Sequence, residues 1–402
     1  MNQVAVRSGA LAGARKSERD PRIDVLRGLA LIMIFIDHVP ENLYSFYTIR
    51  MIGFSDAAEA FVLISGISAG LAYSHRFVPG QMWAAALRVW KRGLTIYGAH
   101  LLSTILALAI TIPVVVYFGM IEFAENNGID WVWEKPLATA IGLFTLSYQV
   151  SYFNILPLYV ALFAAVPLLL WIGRQSLGMM LGFAVVIWLV SRGLDTNMPA
   201  YPGDWAWYFD PFCWLLLFAI GLAIGTARRQ GWSLVPFSSK LYALCVGFVV
   251  FAAVWRFTGH YAFPFPSITP AIIADTSKET LGLPRIAHIL ALAYIVIYLP
   301  GLRSLLGARV FSPFNIMGRA SLVTFVTGSL IAFSLQLFRL IVSTTLLEDT
   351  LLLLTGIVIQ YAVARYALAR AGRLRQKQAK PSPPSGIDRP APKALALSKR
   401  GG

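Results

Sequence analysis

The sequence predicts an all-α fold, a polytopic integral membrane bundle of about ten transmembrane helices with both termini in the cytoplasm. Three observations predict it. Of the 402 residues, 57% are hydrophobic and only 13% are charged, whereas an ordinary soluble chain is roughly 25% charged. The apolar residues form runs close to the roughly 20 residues that a helix needs to cross a bilayer. The basic residues are concentrated between alternate runs, which places those segments on the cytoplasmic side.

Ten apolar runs are candidate spans. They lie at 23–40, 56–73, 93–118, 154–173, 176–195, 211–227, 239–257, 284–301, 319–343 and 349–369. The basic stretch 80–92 is too short to span, so it either lies along the cytoplasmic interface or extends the third span. We expect a basic cytoplasmic N-terminal segment (1–22), a membrane domain (23–370) and a disordered, basic, Pro-rich cytoplasmic tail (371–402). The first apolar run is not a signal peptide, because no small-residue cleavage site follows it.

The positive charge sets the predicted orientation. With the N-terminus inside, cytoplasmic segments hold about 26 of the 34 Lys and Arg residues. About six lie on the outside, and these are Arg50, Lys135, Arg192, Arg256, Lys278 and Arg285. The net charge of +15 therefore reflects topology, and we expect a membrane protein in contact with lipid and not with nucleic acid.

The two cysteines, Cys213 and Cys245, each lie inside an apolar run. They are too few for a disulfide framework or a cysteine metal site, so we expect two packing residues and no bound metal.

The first span carries four ionisable side chains, each costing roughly 2.5–3.5 kcal/mol at a helix centre. They are Asp24, Arg27, Asp37 and His38. Ten residues separate Arg27 from His38, which places both on one helix face about 16 Å apart. Asp24 lies one turn before Arg27 and can pair with it. The alternative to a functional role is that Asp24 and Arg27 form only an interfacial ion pair at the cytoplasmic end. Asp37 and His38 would then only mark the hydrated outer end of the helix.

The second span begins with Asp56 and Glu59, which lie at the depth predicted for His38. Asp-x-x-Glu is also a capping-box pattern at a helix start, so a purely structural role stays open. If the first two helices are neighbours, Glu59 can reach the imidazole of His38. Asp37 is a poorer partner, because consecutive side chains on a helix diverge by about 100°.

This set suits acyl transfer to a hydroxyl group. Histidine can take the hydroxyl proton, since its unperturbed pKa is about 6.5. A carboxylate, Glu59 or Asp37, would fix the tautomer and stabilise the imidazolium. Arginine binds phosphate or carboxylate well, so Arg27 is a candidate for binding an anionic acyl donor. Asp24 and Asp56 are further candidates for substrate binding.

Several long strings resemble the OpgC proteins, membrane succinyltransferases related to the acyltransferase-3 superfamily. They are RIDVLRGLALIMIFIDHVP at 22–40, GFSDAAEAFVLISG at 53–66, NILPLYV at 154–160, FDPFCWLLLFAIG at 209–221, SKETLGLPRIAHILALAY at 277–294 and FNIMGRASLVTF at 314–325. The superfamily's arginine and histidine, with ten residues between them, fall on Arg27 and His38. The resemblance implies a catalytic His38, succinyl-coenzyme A as donor substrate with no bound cofactor, and a periplasmic glucan as acceptor.

Other polar residues are weaker candidates for substrate binding. Those at predicted outer span ends either bind sugar or anchor the interface: Asn154, Tyr159, Asp210 and Trp214. His288, with Arg285 one turn before it, is a further candidate. Arg319 and Ser321 either contact the donor phosphates or, for Arg319, serve only as a topology charge.

Two other functions stay open at this stage. Intramembrane ions also suit a transporter or flippase of a glycan or lipid. An acetyltransferase acting on another envelope polysaccharide would use the same residues. A homo-oligomer is possible in each case.

Overall fold

The computed structural model describes residues 20–258 and 270–379. Its helices, in chain order, are α1 (Pro21–Asp37), α2 (Ala57–Tyr73), α3 (Met82–Phe118), α4 (Ile121–Asn126), α5 (Trp131–Glu134), α6 (Pro136–Phe144), α7 (Ile155–Gln175), α8 (Leu177–Leu194), α9 (Pro211–Arg229), α10 (Ser239–Phe257), α11 (Ala271–Ala274), α12 (Leu283–Tyr298), α13 (Leu302–Leu306), α14 (Ser312–Arg319), α15 (Ser321–Ile341) and α16 (Leu346–Ala379). Short 3-10 turns lie at Leu43–Tyr47, Ile49–Met51, Ser74–Arg76 and Arg309–Phe311. The two-residue strands β1 (Pro199–Ala200) and β2 (Trp205–Ala206) pair antiparallel, with Pro199 opposite Ala206.

The predicted all-α membrane bundle is confirmed. A helix occupies each predicted span, namely α1, α2, α3, α7, α8, α9, α10, α12, α15 and α16. Within the described residues, eight of these are long and apolar enough to cross a membrane. The other two, α1 and α12, are shorter, with 17 and 16 residues. The chain is therefore a multi-pass membrane protein, and its orientation stays a prediction.

The structure defines the start of α3 and the end of α16. The stretch 80–92 extends the third span, because α3 runs without interruption for 37 residues. Helix α16 continues to Ala379, past the predicted start of the tail at 371. The rest of that tail and most of the N-terminal segment lie outside the described residues.

The helices begin where the sequence provides caps. Asp20 and Asp210 accept hydrogen bonds from backbone amides in the first turns of α1 and α9, and each is followed by a proline at the first helical position. Asp56 and Glu59 form a capping box at the start of α2. These caps fix the ends of the three helices that carry most of the candidate residues.

The most extensive helix contact joins α2 to α9. Gly66 and Gly70 of α2 face Gly221 and Gly225 of α9, and a Cβ at any of these positions would overlap the backbone of the other helix. Such small-xxx-small faces let membrane helices approach each other closely. Helix α1 packs against α2 on one side and against α14 and α15 on others.

We expect Gly66→Val to destabilise the bundle by about 1–3 kcal/mol, because the added carbons have no room between α2 and α9. Thermal unfolding in detergent measures this effect. The control is Gly182→Val on α8, where an added Cβ meets nothing within 4 Å. Equal unfolding temperatures for the two variants would contradict the importance of this contact.

Candidate active site

A cavity of about 650 Å³, here called the His38 cavity, lies at the end of α1 that carries His38. Its wall comes from the ends of several helices and from the loops between them. The polar and charged lining residues are Asp37, His38, Arg50, Ser55, Asp56, Ser151, Tyr152, Asn154, Tyr208, Arg256, Thr276, Lys278, Arg285 and Ser329. The volume is in the usual range for ligand sites, roughly 300–1,000 Å³.

His38 is held with one ring nitrogen occupied and the other available. The residue is the C-cap of α1, and its Nδ1 lies 2.6 Å from the carbonyl oxygen of Ile34. A carbonyl only accepts hydrogen bonds, so Nδ1 carries the proton and Nε2 keeps its lone pair. The Tyr152 ring lies against the imidazole with centroids 4.4 Å apart. No hydrogen bond among the described residues occupies Nε2.

A buried ion cluster forms another part of the wall. The Arg285 guanidinium donates to Glu59 through Nε at 2.5 Å and to Asp56 through Nη2 at 3.2 Å. The Lys278 ammonium lies 2.7 Å from the same Asp56 carboxylate. Burial lowers the pKa of Lys278, but Asp56 and Glu59 outweigh it and raise that pKa above its usual value.

The expected contact between Glu59 and His38 is not found. Glu59 is fully buried, and its two oxygens bond Arg285 and the backbone N–H of Asp56. The capping-box alternative is thus confirmed for this residue. Arg285, which the sequence did not link to Glu59, competes successfully for the carboxylate because it offers a full positive charge.

Asp37 does not orient His38 either. Its Oδ1 accepts a hydrogen bond from the Thr48 hydroxyl at 2.7 Å. This agrees with the expected divergence of consecutive side chains. Among the described residues, the Ile34 carbonyl takes the orienting role that was expected of a carboxylate.

A second cavity, of about 200 Å³ and here called the Arg27 cavity, lies at the other end of α1. Arg27 lines it and pairs with Asp24 at 3.3 Å, as expected. The guanidinium also donates to the Ser68 hydroxyl and to the carbonyl of Gly318. Arg92 and Ser321 line the same cavity.

An aromatic layer, formed by Phe61, Tyr159 and Phe325, lines the Arg27 cavity. The Phe61 ring stacks on Phe325 with centroids 6.4 Å apart and meets Tyr159 edge-on at 5.5 Å. Phe325 lines both cavities. Helix α1 therefore passes from one cavity to the other beside this layer.

The structure separates the weaker candidates into three groups. Asn154 and Arg285 line the His38 cavity, whereas Tyr159 and Ser321 line the Arg27 cavity. Four others line neither cavity: Asp210, Trp214, His288 and Arg319.

Three of these four are buried in structural contacts. Trp214 is fully buried and donates from its indole N–H to the carbonyl of Lys278, so its face is not free to stack on a sugar. Asp210 accepts a hydrogen bond from the Ser191 hydroxyl at 2.7 Å. His288 is buried against Ser55 at 2.7 Å. Arg319 is exposed at the end of α14.

Sequence reasoning missed several lining residues. The sequence indicated outer-loop charges, and not site residues, at Arg50, Arg256 and Lys278. No sequence pattern pointed to Tyr152 or Arg92. A signal existed for the cations. The positive-inside bias disfavours Lys and Arg in outer loops, so the six basic residues predicted outside are exceptions to it. Four of these six line the His38 cavity.

The chain matches a known protein family. A family model described as OpgC protein matches residues 19–371, which include both cavities. The chain belongs to the OpgC family. This membership implies a membrane transferase. No curated protein and no solved structure matches the chain.

We expect Glu59→Gln to destabilise the protein by about 3–5 kcal/mol, because it removes the buried negative charge that pairs with Arg285. The single amide oxygen of Gln can also accept from only one of the two donors that Glu59 satisfies, Arg285 and the Asp56 N–H. Thermal unfolding in detergent is again the measurement. Glu122→Gln makes the same chemical change at an exposed position and is the control. If both variants unfold alike, the ion cluster does not stabilise the fold.

Proposed function

We propose that this OpgC-family chain is an O-acyltransferase of the bacterial inner membrane. It transfers succinyl groups from cytoplasmic succinyl-coenzyme A to hydroxyl groups of periplasmic glucans. One observation carries the proposal: α1 bears an imidazole in one cavity and an arginine in a second cavity, and the Phe325 ring borders both. The imidazole Nε2 has no hydrogen-bond partner among the described residues. A donor and an acceptor that meet from opposite sides of a membrane need this arrangement.

The chemistry at His38 follows from its tautomer. Nε2 takes the proton of a sugar hydroxyl as the oxygen attacks the thioester carbonyl, and the new C–O bond forms. The tetrahedral intermediate then collapses, the C–S bond breaks, and the thiolate of coenzyme A receives the proton from the imidazolium. The Nδ1–H bond to Ile34 persists throughout and keeps the ring in place.

The Arg27 cavity suits the donor. Arg92 has no acidic partner among the described residues and lines the cavity together with Arg27. Guanidinium groups bind phosphate in a bidentate manner, which fits the phosphates of coenzyme A. The thioester arm would then extend past Phe325 toward His38, since that ring borders both cavities.

The His38 cavity suits a glucan. Besides its polar groups, it exposes the aromatic side chains of Tyr152, Tyr208, Phe209 and Trp255. Their flat apolar faces can lie against pyranose rings while nearby hydroxyl and amide groups bond the sugar oxygens. We assign to these residues the sugar-binding role that was one of two alternatives for Trp214 and Asp210.

The first test is incorporation of labelled succinyl groups into periplasmic glucan, in cells that lack their own succinyltransferase. We expect the wild-type chain to add succinate and His38→Ala to lose at least about 100-fold in rate, the typical contribution of a general base. His75→Ala, at an exposed position that lines neither cavity, is the control at equal membrane abundance.

Each other outcome has a defined meaning. Normal succinylation by His38→Ala removes His38 from the chemistry. Ester formation with an acetyl group alone favours the acetyltransferase. If the wild type forms no ester but moves glycan or lipid across the membrane, the chain is a transporter.

The proposed orientation is tested by cysteine accessibility. Thr276→Cys lies at the His38 cavity and Ala72→Cys at the Arg27 cavity. We expect a membrane-impermeant maleimide added from the periplasm to label only Thr276→Cys, and to label Ala72→Cys after the inner membrane is permeabilised. The wild-type chain is the control, because both of its cysteines are buried. The reverse pattern would invert the predicted topology.

A further inference from the structure

The His38 cavity contains more positive charge than its ion cluster neutralises. Four cations line it: Arg50, Arg256, Lys278 and Arg285. Asp56 and Glu59 pair with the last two of these. Neither Arg50 nor Arg256 has an acidic partner within 4 Å among residues 20–258 and 270–379.

Asp37 does not remove this excess. It is the remaining carboxylate of the cavity wall, and the Thr48 hydroxyl bonds it. Even with Asp37 counted, four cations face three carboxylates. Arg50 is exposed and Arg256 is half-buried, so both guanidinium groups are accessible to a ligand that enters the cavity. The cavity is therefore suited to receive an anion.

Arg50 is held close to the catalytic end of α1. Thr48, two residues before it, donates to Asp37, which directly precedes His38. Asn42 also ties the intervening loop to α1, since its amide donates to the carbonyl of Ile36 at 2.9 Å. Arg50 itself lies in the 3-10 turn Ile49–Met51, which packs against α10, the helix of Arg256.

We propose that Arg50, together with Arg256, binds the free carboxylate of the acyl group and so selects a dicarboxylic acyl donor over an acetyl donor. The inference rests on the proposed function and extends it to specificity. A succinyl group has a carboxylate two methylene groups from its reacting carbonyl. When that carbonyl is at His38, the carboxylate points into the same cavity and meets the unpaired guanidinium groups.

The physical basis is an asymmetry in hydrogen bonding. Guanidinium and carboxylate form short, charge-assisted bonds, often in pairs. An acetyl group has no charge to offer, so it leaves the arginines unpaired. Sites built around a polar partner discriminate strongly against an analogue that lacks it.

The test compares succinyl-coenzyme A with acetyl-coenzyme A as donors to periplasmic glucan, using purified protein in liposomes. We expect Arg50→Gln to lower kcat/KM for succinyl transfer by about 10- to 100-fold, the value of one hydrogen bond between charged groups. We expect acetyl transfer to stay the same or to rise. Arg50→Lys keeps the charge but loses the fork geometry, and should fall between the two.

Lys135→Gln is the matched control. It removes a positive charge from the same predicted side of the membrane at an exposed position outside the cavity. An unchanged donor ratio in this variant excludes a general effect of surface charge. Arg256→Gln should change the donor ratio in the same direction as Arg50→Gln.

A binding measurement that needs no glucan complements the kinetics. Succinate should raise the unfolding temperature of the wild-type protein, and acetate at equal concentration should not. Arg50→Gln should lose the shift while keeping the unfolding temperature of the unliganded wild type. A shift that survives in both arginine variants would overturn the proposal.

The remaining outcomes also decide the matter. Equal losses with both donors, or a higher KM for glucan alone, would mean that these arginines serve folding or the acceptor and not the acyl group. If the wild type transfers no acyl group from either donor, the proposed function fails and the inference fails with it. If His38→Ala abolishes transfer while the donor ratio ignores Arg50, the function stands and only the inference is wrong.

Discussion

The site depends on the buried ion cluster that joins the start of α2 to the start of α12. Glu59 is fully buried and its carboxylate is satisfied by the Asp56 amide and by Arg285. Asp56 in turn caps α2 and holds Lys278. Charges in such a place persist only when they are paired and hydrogen-bonded. The cluster thereby fixes two helix ends and a loop around one cavity.

The loop that brings Lys278 into the cluster is hydrogen-bonded to the start of α9. The indole N–H of Trp214 donates to the carbonyls of Lys278 and Glu279, and the Asp210 carboxylate caps α9 beside it. Helix α9 is locked to α2 through their facing glycines. Trp214 and Asp210, which do not line the cavity, therefore support the loop that carries Lys278 in its wall.

Helix α1 is the element that links the two cavities. It places Arg27 at one and His38 at the other, and its two ends are tied differently. Arg27 is bound by Asp24, Ser68 and neighbouring carbonyls, whereas His38 keeps one nitrogen free. A well-bonded arginine suits a role in architecture and anion binding. A histidine bonded through one nitrogen only suits proton transfer.

The sequence alone determined the fold class, the approximate positions of the ten predicted spans and the Asp24–Arg27 pair. It also offered the capping box at Asp56 and Glu59 as one of two alternatives. These follow from hydropathy and from spacing along one helix, which are local properties. Only the tertiary structure decided the partners of Glu59 and His38 and the gathering of Arg50, Arg256 and Lys278 at one cavity. Contacts between distant segments depend on how helices pack and on which of several charges comes nearest, and linear spacing does not contain that information.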